Sequence, residues 1–174
     1  MELEGKKVVI PVEDMFNTHE FWYPYYRLKE AGCEVVVMGS GSAETYTGKP
    51  GTEVTVDVNA DQVSASEFDG IVIPGGYAPD KMRRYPKMVQ LVRDLHEAGK
   101  VVAAICHAGW MLASAEILQG KSVTSVSAIK DDLVHAGAGW VDQEVVVDGN
   151  IITSRTPDDL PAFMRAIIHA LKDK

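Results

Sequence analysis

A mostly parallel β-sheet held between helical layers, with one added hairpin, is the α/β architecture that this chain predicts. Three observations carry it. Short runs of consecutive apolar residues, with no polar alternation, recur along the chain; segments of helical period separate them; and an Asp-Gly turn joins two late β-rich runs. At 174 residues the chain has the length of one ordinary domain, so residues 1–174 are read as a single unit with right-handed crossovers.

Lys7 to Val12 reads Lys-Val-Val-Ile-Pro-Val, which suits a strand covered on both faces. From Glu20 to Ala31, Phe21, Tyr25, Leu28 and Ala31 recur at near-helical spacing, Pro24 fits an early turn, and Gly32 supplies a stop. Cys33 to Met38 repeats the buried-strand pattern, and the Gly-, Thr- and Val-rich stretch from Gly39 to Val58 reads as loops and small strands. Asp69 to Pro74 is the next buried run, leading into Gly75-Gly76. Pro86 to Ala98 carries an apolar stripe of Met88, Leu91, Val92 and Leu95, with Pro86 at its start and Gly99 past its end.

Val101 to Ile105 predicts a strand, and Cys106-His107 opens a helical segment over Ala108 to Leu118. Val123 to Ser125 suits a short strand and Ile129 to Ala136 a helix. Val145 to Val147 and Ile151 to Thr153 flank Asp148-Gly149-Asn150 as a hairpin. Thr156 is placed to cap a closing helix whose apolar face is Leu160, Met164, Ile167, Ile168 and Leu171. In such folds ligands bind at the carboxyl ends of the strands. Three ends are candidates here: Val12 onward, Pro74-Gly75-Gly76, and Ile105-Cys106.

Composition narrows the function. Lys and Arg number 17 against 25 Asp and Glu, a net charge of −8, and no basic run follows a phosphate backbone, which argues against nucleic acid and anionic membranes as partners. No apolar stretch reaches the ~20 residues of a membrane span. The opening Met-Glu-Leu-Glu-Gly-Lys-Lys lacks the layout of a secretory signal, so a cytoplasmic location is expected. In a reducing compartment Cys33 and Cys106 are expected as separate thiols.

Cys106 follows a buried strand and precedes a helix. A tight bend there projects the sulfur at the sheet edge, where the helix's free amides and dipole favour a thiolate and hence a nucleophile. The alternative is a free cysteine packed as a small hydrophobe. His107 is a candidate acid–base partner or a surface residue of the helix's first turn. Gly75 and Gly76 either donate backbone amides to an oxyanion or form a plain turn. Glu20 and Asp80 each sit where a carboxyl either reaches the site or complements a helix N-terminus. No metal-ligand spacing, Walker loop or dinucleotide fingerprint is present, so no metal and no cofactor is expected.

These residues resemble the PfpI-type intracellular protease family of the ThiJ/PfpI superfamily, relatives of the class I glutamine amidotransferases. The carriers are the segment from Glu20 to Gly32, Ile73-Pro-Gly-Gly76, Ala104-Ile-Cys-His-Ala-Gly109, Ile129-Lys-Asp-Asp132 and the segment from Glu144 to Asn150. The resemblance implies a flavodoxin-like sandwich in which Cys106 is the nucleophile, Glu20 hydrogen-bonds its sulfur, and amides around Gly75, Gly76 and His107 receive the oxyanion. It further implies a homo-oligomer in which an acidic residue of a neighbouring subunit orients the histidine, and Asp80 occupies the matching place. Two departures stand out: extra residues around Asp14 to His19, and Val126 near where the family often has an aromatic residue.

The activity so implied is a cysteine-dependent hydrolase, protease or amidase. One alternative is a glyoxalase or protein deglycase acting on methylglyoxal and its adducts, and another is a redox-responsive stress chaperone without turnover. An amidotransferase needs a later His paired with an acid, and neither His135 nor His169 stands in a His-x-Glu setting.

Overall fold

The computed structural model describes residues 1–174. Its central sheet is built from β1 (Lys7–Val12), β2 (Glu34–Gly39), β5 (Val58–Asn59), β6 (Gly70–Ile73), β7 (Val101–Ile105), β10 (Val146–Asp148) and β11 (Ile151–Ser154). The spatial order is β10-β11-β7-β6-β1-β2-β5, parallel throughout except that β10 runs against β11. Two small ribbons, β3 (Thr45–Thr47) with β4 (Glu53–Thr55) and β8 (Ser122–Val123) with β9 (Gly139–Trp140), lie outside it.

Helix α1 (Thr18–Glu30) packs with α6 (Leu160–Lys172) on one face of the sheet. On the other lie α2 (Ala78–Met82), α3 (Pro86–Glu97) and α4 (Gly109–Ser114), with α5 (Lys130–His135) against α4. Strands β6 and β7 are buried along their whole length, the expected state of parallel strands sandwiched between helices. No helix is long and apolar enough to cross a membrane. From β1 the chain passes to β2 on one side and later to β6 and β7 on the other, so strand order reverses at β1. The crevice beside that reversal, at the strands' carboxyl ends, is where an open α/β sheet binds ligands.

Three local expectations are corrected. Helix α1 begins two residues before Glu20, at Thr18, because Asn17 accepts from the N–H groups of His19 and Glu20 and so caps it. Pro24 therefore sits mid-helix, with no N–H to give the carbonyl of Glu20. The segment after Cys106 is a turn of 3₁₀ helix (Cys106–Ala108) followed by α4, which stops at Ser114, well short of Leu118. Thr156 makes no side-chain cap; Asp159 instead accepts from the N–H and guanidinium of Arg155. Gly149 supplies a φ of 60° at the hairpin turn.

Candidate active site

Strand β7 ends at Ile105, and the next residue, Cys106, turns the chain with a φ of +61°. That left-handed backbone is costly for a residue with a Cβ, by roughly 1–2 kcal/mol, and it throws the side chain out at the sheet edge. The sulfur is half-buried and lies 3.3 Å from Nδ1 of His107, so the bend brings neighbouring residues into a thiol–imidazole pair. Neighbours in sequence need not meet in space, and here they do.

Beneath the sulfur lies Glu20, a fully buried carboxyl. Asn17 and Glu20 have the spacing of a capping box, but the Glu20 carboxylate turns to the carboxyl end of β6, where its Oε2 accepts the N–H of Gly75 at 2.7 Å. The N–H of Asn17 donates to the carbonyl of Gly75 at 3.1 Å, so both peptide groups of that glycine are held by the first helix and its cap. The second carboxylate oxygen, Oε1, is buried without a protein donor apart from the facing Cys106 thiol.

The glycines are needed for close approach. A Cβ at Gly75 would stand 2.6 Å from Oε2 of Glu20 and 2.8 Å from Cβ of Cys106. Gly76 has a φ of +75°, and a Cβ there would lie 2.4 Å from the carbonyl oxygen of Met15. The expectation of two free glycine amides is corrected. Gly75's is committed to Glu20, whereas those of Gly76 and His107 lie near the sulfur and favour its charged form.

Electrostatics depart further from expectation. Burial, followed by the negative charge of Glu20, pushes the Cys106 thiol up to about 12, outweighing the amides of His107 and Gly76. The direction is thus opposite to the expected depression, because burial of the sulfur and then the Glu20 carboxylate, neither legible in the sequence, set it. Burial also raises Glu20 to about 7, against the opposing pull of the Gly75 N–H. Burial lowers His107, which is therefore neutral at pH 7 and, with its proton on Nε2, has Nδ1 free to accept.

The cavity over the sulfur has a volume of about 330 Å³ and is lined by Asn17, Lys49, Pro50, Gly76, Tyr77, Cys106 and His107. Cys106, His107, Glu20, Gly75 and Gly76 are thus brought together. Asp80, on α2, is not among the lining residues, and its carboxylate pairs with Arg84 at 2.8 Å. Val126 does not line the cavity either; its N–H bonds the carbonyl of Cys106. Asn17, Lys49 and Tyr77 escaped the sequence reading. The first left a legible signal, an Asn three residues before Glu20, whereas Lys49 and Tyr77 reach the site only through long-range folding.

A thiol at a strand-to-helix bend on this sheet defines a class, and comparison gives the family: residues 6–170 match the DJ-1/PfpI family. The chain belongs to the DJ-1/PfpI family. It is 47% identical over 166 residues to a deglycase of Pyrococcus horikoshii, covering 95% of this chain and 99% of that one. To the protein/nucleic acid deglycase 2 of Escherichia coli it is 42% identical, covering 96% and 98%. Among solved structures, a two-domain Anabaena variabilis protein with DJ-1/ThiJ/PfpI-like and ferritin-like domains superposes with a TM-score of 0.93 at 48% identity, over 95% of this chain and 50% of that one.

Proposed function

We propose that this protein is a cysteine-dependent hydrolase of carbonyl adducts, a deglycase in the sense of its relatives, with Cys106 as nucleophile. The observation that carries the reading is the 3.3 Å approach of Sγ of Cys106 to Nδ1 of a neutral His107 at the floor of a cavity. A thiol held up at about 12 is idle until its proton has somewhere to go, and His107 is the acceptor in reach.

In the proposed reaction His107 takes the thiol proton as the sulfur adds to the substrate carbonyl carbon. The C=O π pair moves onto oxygen, which the amides of Gly76 and His107 are placed to receive. His107 then returns the proton to the amine or thiol as it leaves the neighbouring carbinol carbon, whose own hydroxyl proton moves to the oxyanion as a C=O forms there. The C–S bond then breaks, the hydroxyl proton returns to sulfur, and the dicarbonyl fragment and free thiol result. Protonated Glu20 supports the thiolate by donating to it; ionised Glu20 opposes it. A cavity of about 330 Å³ is large enough for a small adduct, and the names of the relatives favour deglycation over general proteolysis. Two unpaired thiols fit the reducing cytoplasm, where we place the protein.

We further propose that Asp80 acts in trans, completing a neighbour's Cys-His pair in a homo-oligomer. Its exposure and its absence from the lining of its own chain's cavity support that assignment. The test of the function is release of free amine from methylglyoxal-treated N-acetyl-lysine, run beside fluorogenic peptides. Turnover of the adduct that is lost in Cys106→Ser supports the reading; equal turnover in that variant overturns it.

A further inference from the structure

Lys49 is the one charged side chain lining the cavity over Cys106, and it takes part in no ion pair. In a chain of net charge −8, an ammonium that no carboxylate neutralises and that lines the cavity of a reactive thiol calls for an anion. Its placement is built. The N–H of Lys49 donates to the carbonyl of Phe16 at 2.8 Å, and its carbonyl accepts from the N–H of Thr18. Trp22 Nε1 donates to Thr52 Oγ1 at 3.0 Å, which ties the same loop to α1. The ammonium lies over the ring of Tyr77, 4.5 Å from its centre, and Tyr77 directly follows Gly76. One wall of the cavity thus carries a positive charge while the floor presents the thiol and the amides of Gly76 and His107.

We infer that Lys49 sets the specificity of this site, and that the preferred substrates are carbonyl compounds bearing a carboxylate next to the reacting carbon. The inference rests on the reading of Cys106 as a carbonyl-directed thiol and adds the substrate's charge. With an aldehyde acid such as glyoxylate, Sγ bonds to the aldehyde carbon as the C=O π pair moves onto oxygen. The thiol proton passes through Nδ1 of His107 to that oxygen. The product is a hemithioacetal that keeps its carboxylate facing Lys49, with no net oxidation or reduction.

The test is protection of Cys106 from iodoacetamide, read by mass, in the presence of glyoxylate or of its neutral amide. This readout needs no turnover, so a missing deglycase activity would undo the proposed function and leave this measurement standing. Because Lys49 is at the solvent-facing rim, the charge preference is expected to be modest, about three- to fivefold in favour of glyoxylate, and smaller in 0.5 M salt. Lys49→Met is expected to bring the ratio of half-protecting concentrations to about one, and Lys49→Arg to keep the preference. Equal protection by the two compounds in the wild type, or a preference that survives Lys49→Met, overturns the inference.

Discussion

Oε2 of Glu20 accepts the N–H of Gly75 at 2.7 Å, joining two residues 55 positions apart. One carboxyl oxygen is thereby fixed, and the other faces the Cys106 sulfur. The bond gives Glu20 a defined place in the site, and it explains why the residue after Pro74 has no side chain.

Gly75→Ala is expected to displace the Glu20 carboxyl or the Cys106 side chain, since the added Cβ falls 2.6 Å from the one and 2.8 Å from the other. Overpacking of this kind costs roughly 1–3 kcal/mol, and amine release from adducts should fall more than about 100-fold. Gly99→Ala is the control. Gly99 has a φ of +69° and nothing within 4 Å of the added atom, so it should lose about 1–2 kcal/mol of stability with its kcat/KM kept. Thermal melts and steady-state kinetics on both variants check the contrast.

The pH profile of kcat/KM should be bell-shaped. Protonated His107 cannot accept the thiol proton, and its pKa is lowered by burial, so the acid limb should fall below the ordinary value of 6.5. Glu20, raised to about 7, ionises as pH climbs and places a negative charge beside the sulfur, so activity should decline through about pH 7. Glu20→Gln, which can still accept from Gly75 and still donate to sulfur, is expected to keep the acid limb and lose the alkaline one. An unchanged alkaline limb in that variant would remove Glu20 from the account.

The same group sets a pH dependence of stability. Its folded pKa lies above the ordinary 4.5, so the fold favours the protonated carboxyl. That contribution is present in full below about pH 4.5 and is lost as pH rises through about 7, at most about 3 kcal/mol. Glu20→Gln should therefore melt above the wild type at pH 8 and show no such advantage at pH 4, as followed by circular dichroism.

If Asp80 completes the neighbour's site, two inactive variants should rescue one another. Cys106→Ser and Asp80→Ala are each expected to lack activity, and mixing them after mild dissociation should restore up to about a quarter of it, because one site in each mixed pair is whole. No recovery on mixing, with subunit exchange verified by mass, would return Asp80 to its surface ion pair with Arg84.

Much of this is legible in the sequence. Strands β6 and β7 announced themselves as unbroken apolar runs because parallel strands are buried on both faces, and α3 did so through Pro86, its apolar stripe and Gly99. Cys106, His107 and Glu20 stood at element ends that the fold brings together. What local pattern did not carry was decided across the chain. The amide of Gly75 is consumed by a residue 55 positions away, and Lys49 arrives on a loop tied to α1. The direction of the Cys106 shift is not legible in the sequence for the same reason: the helix start shows there, whereas the burial of the sulfur and the contact with Glu20 do not.

The most direct test of the central claim, that burial and then the Glu20 carboxylate raise the Cys106 thiol, is a titration of its alkylation rate against pH in the wild type and in Glu20→Gln. The wild-type midpoint should lie well above the ordinary thiol value of about 8.5, and the substitution should lower it by a unit or more. A wild-type midpoint near or below 7, or one that does not move in Glu20→Gln, would contradict the account.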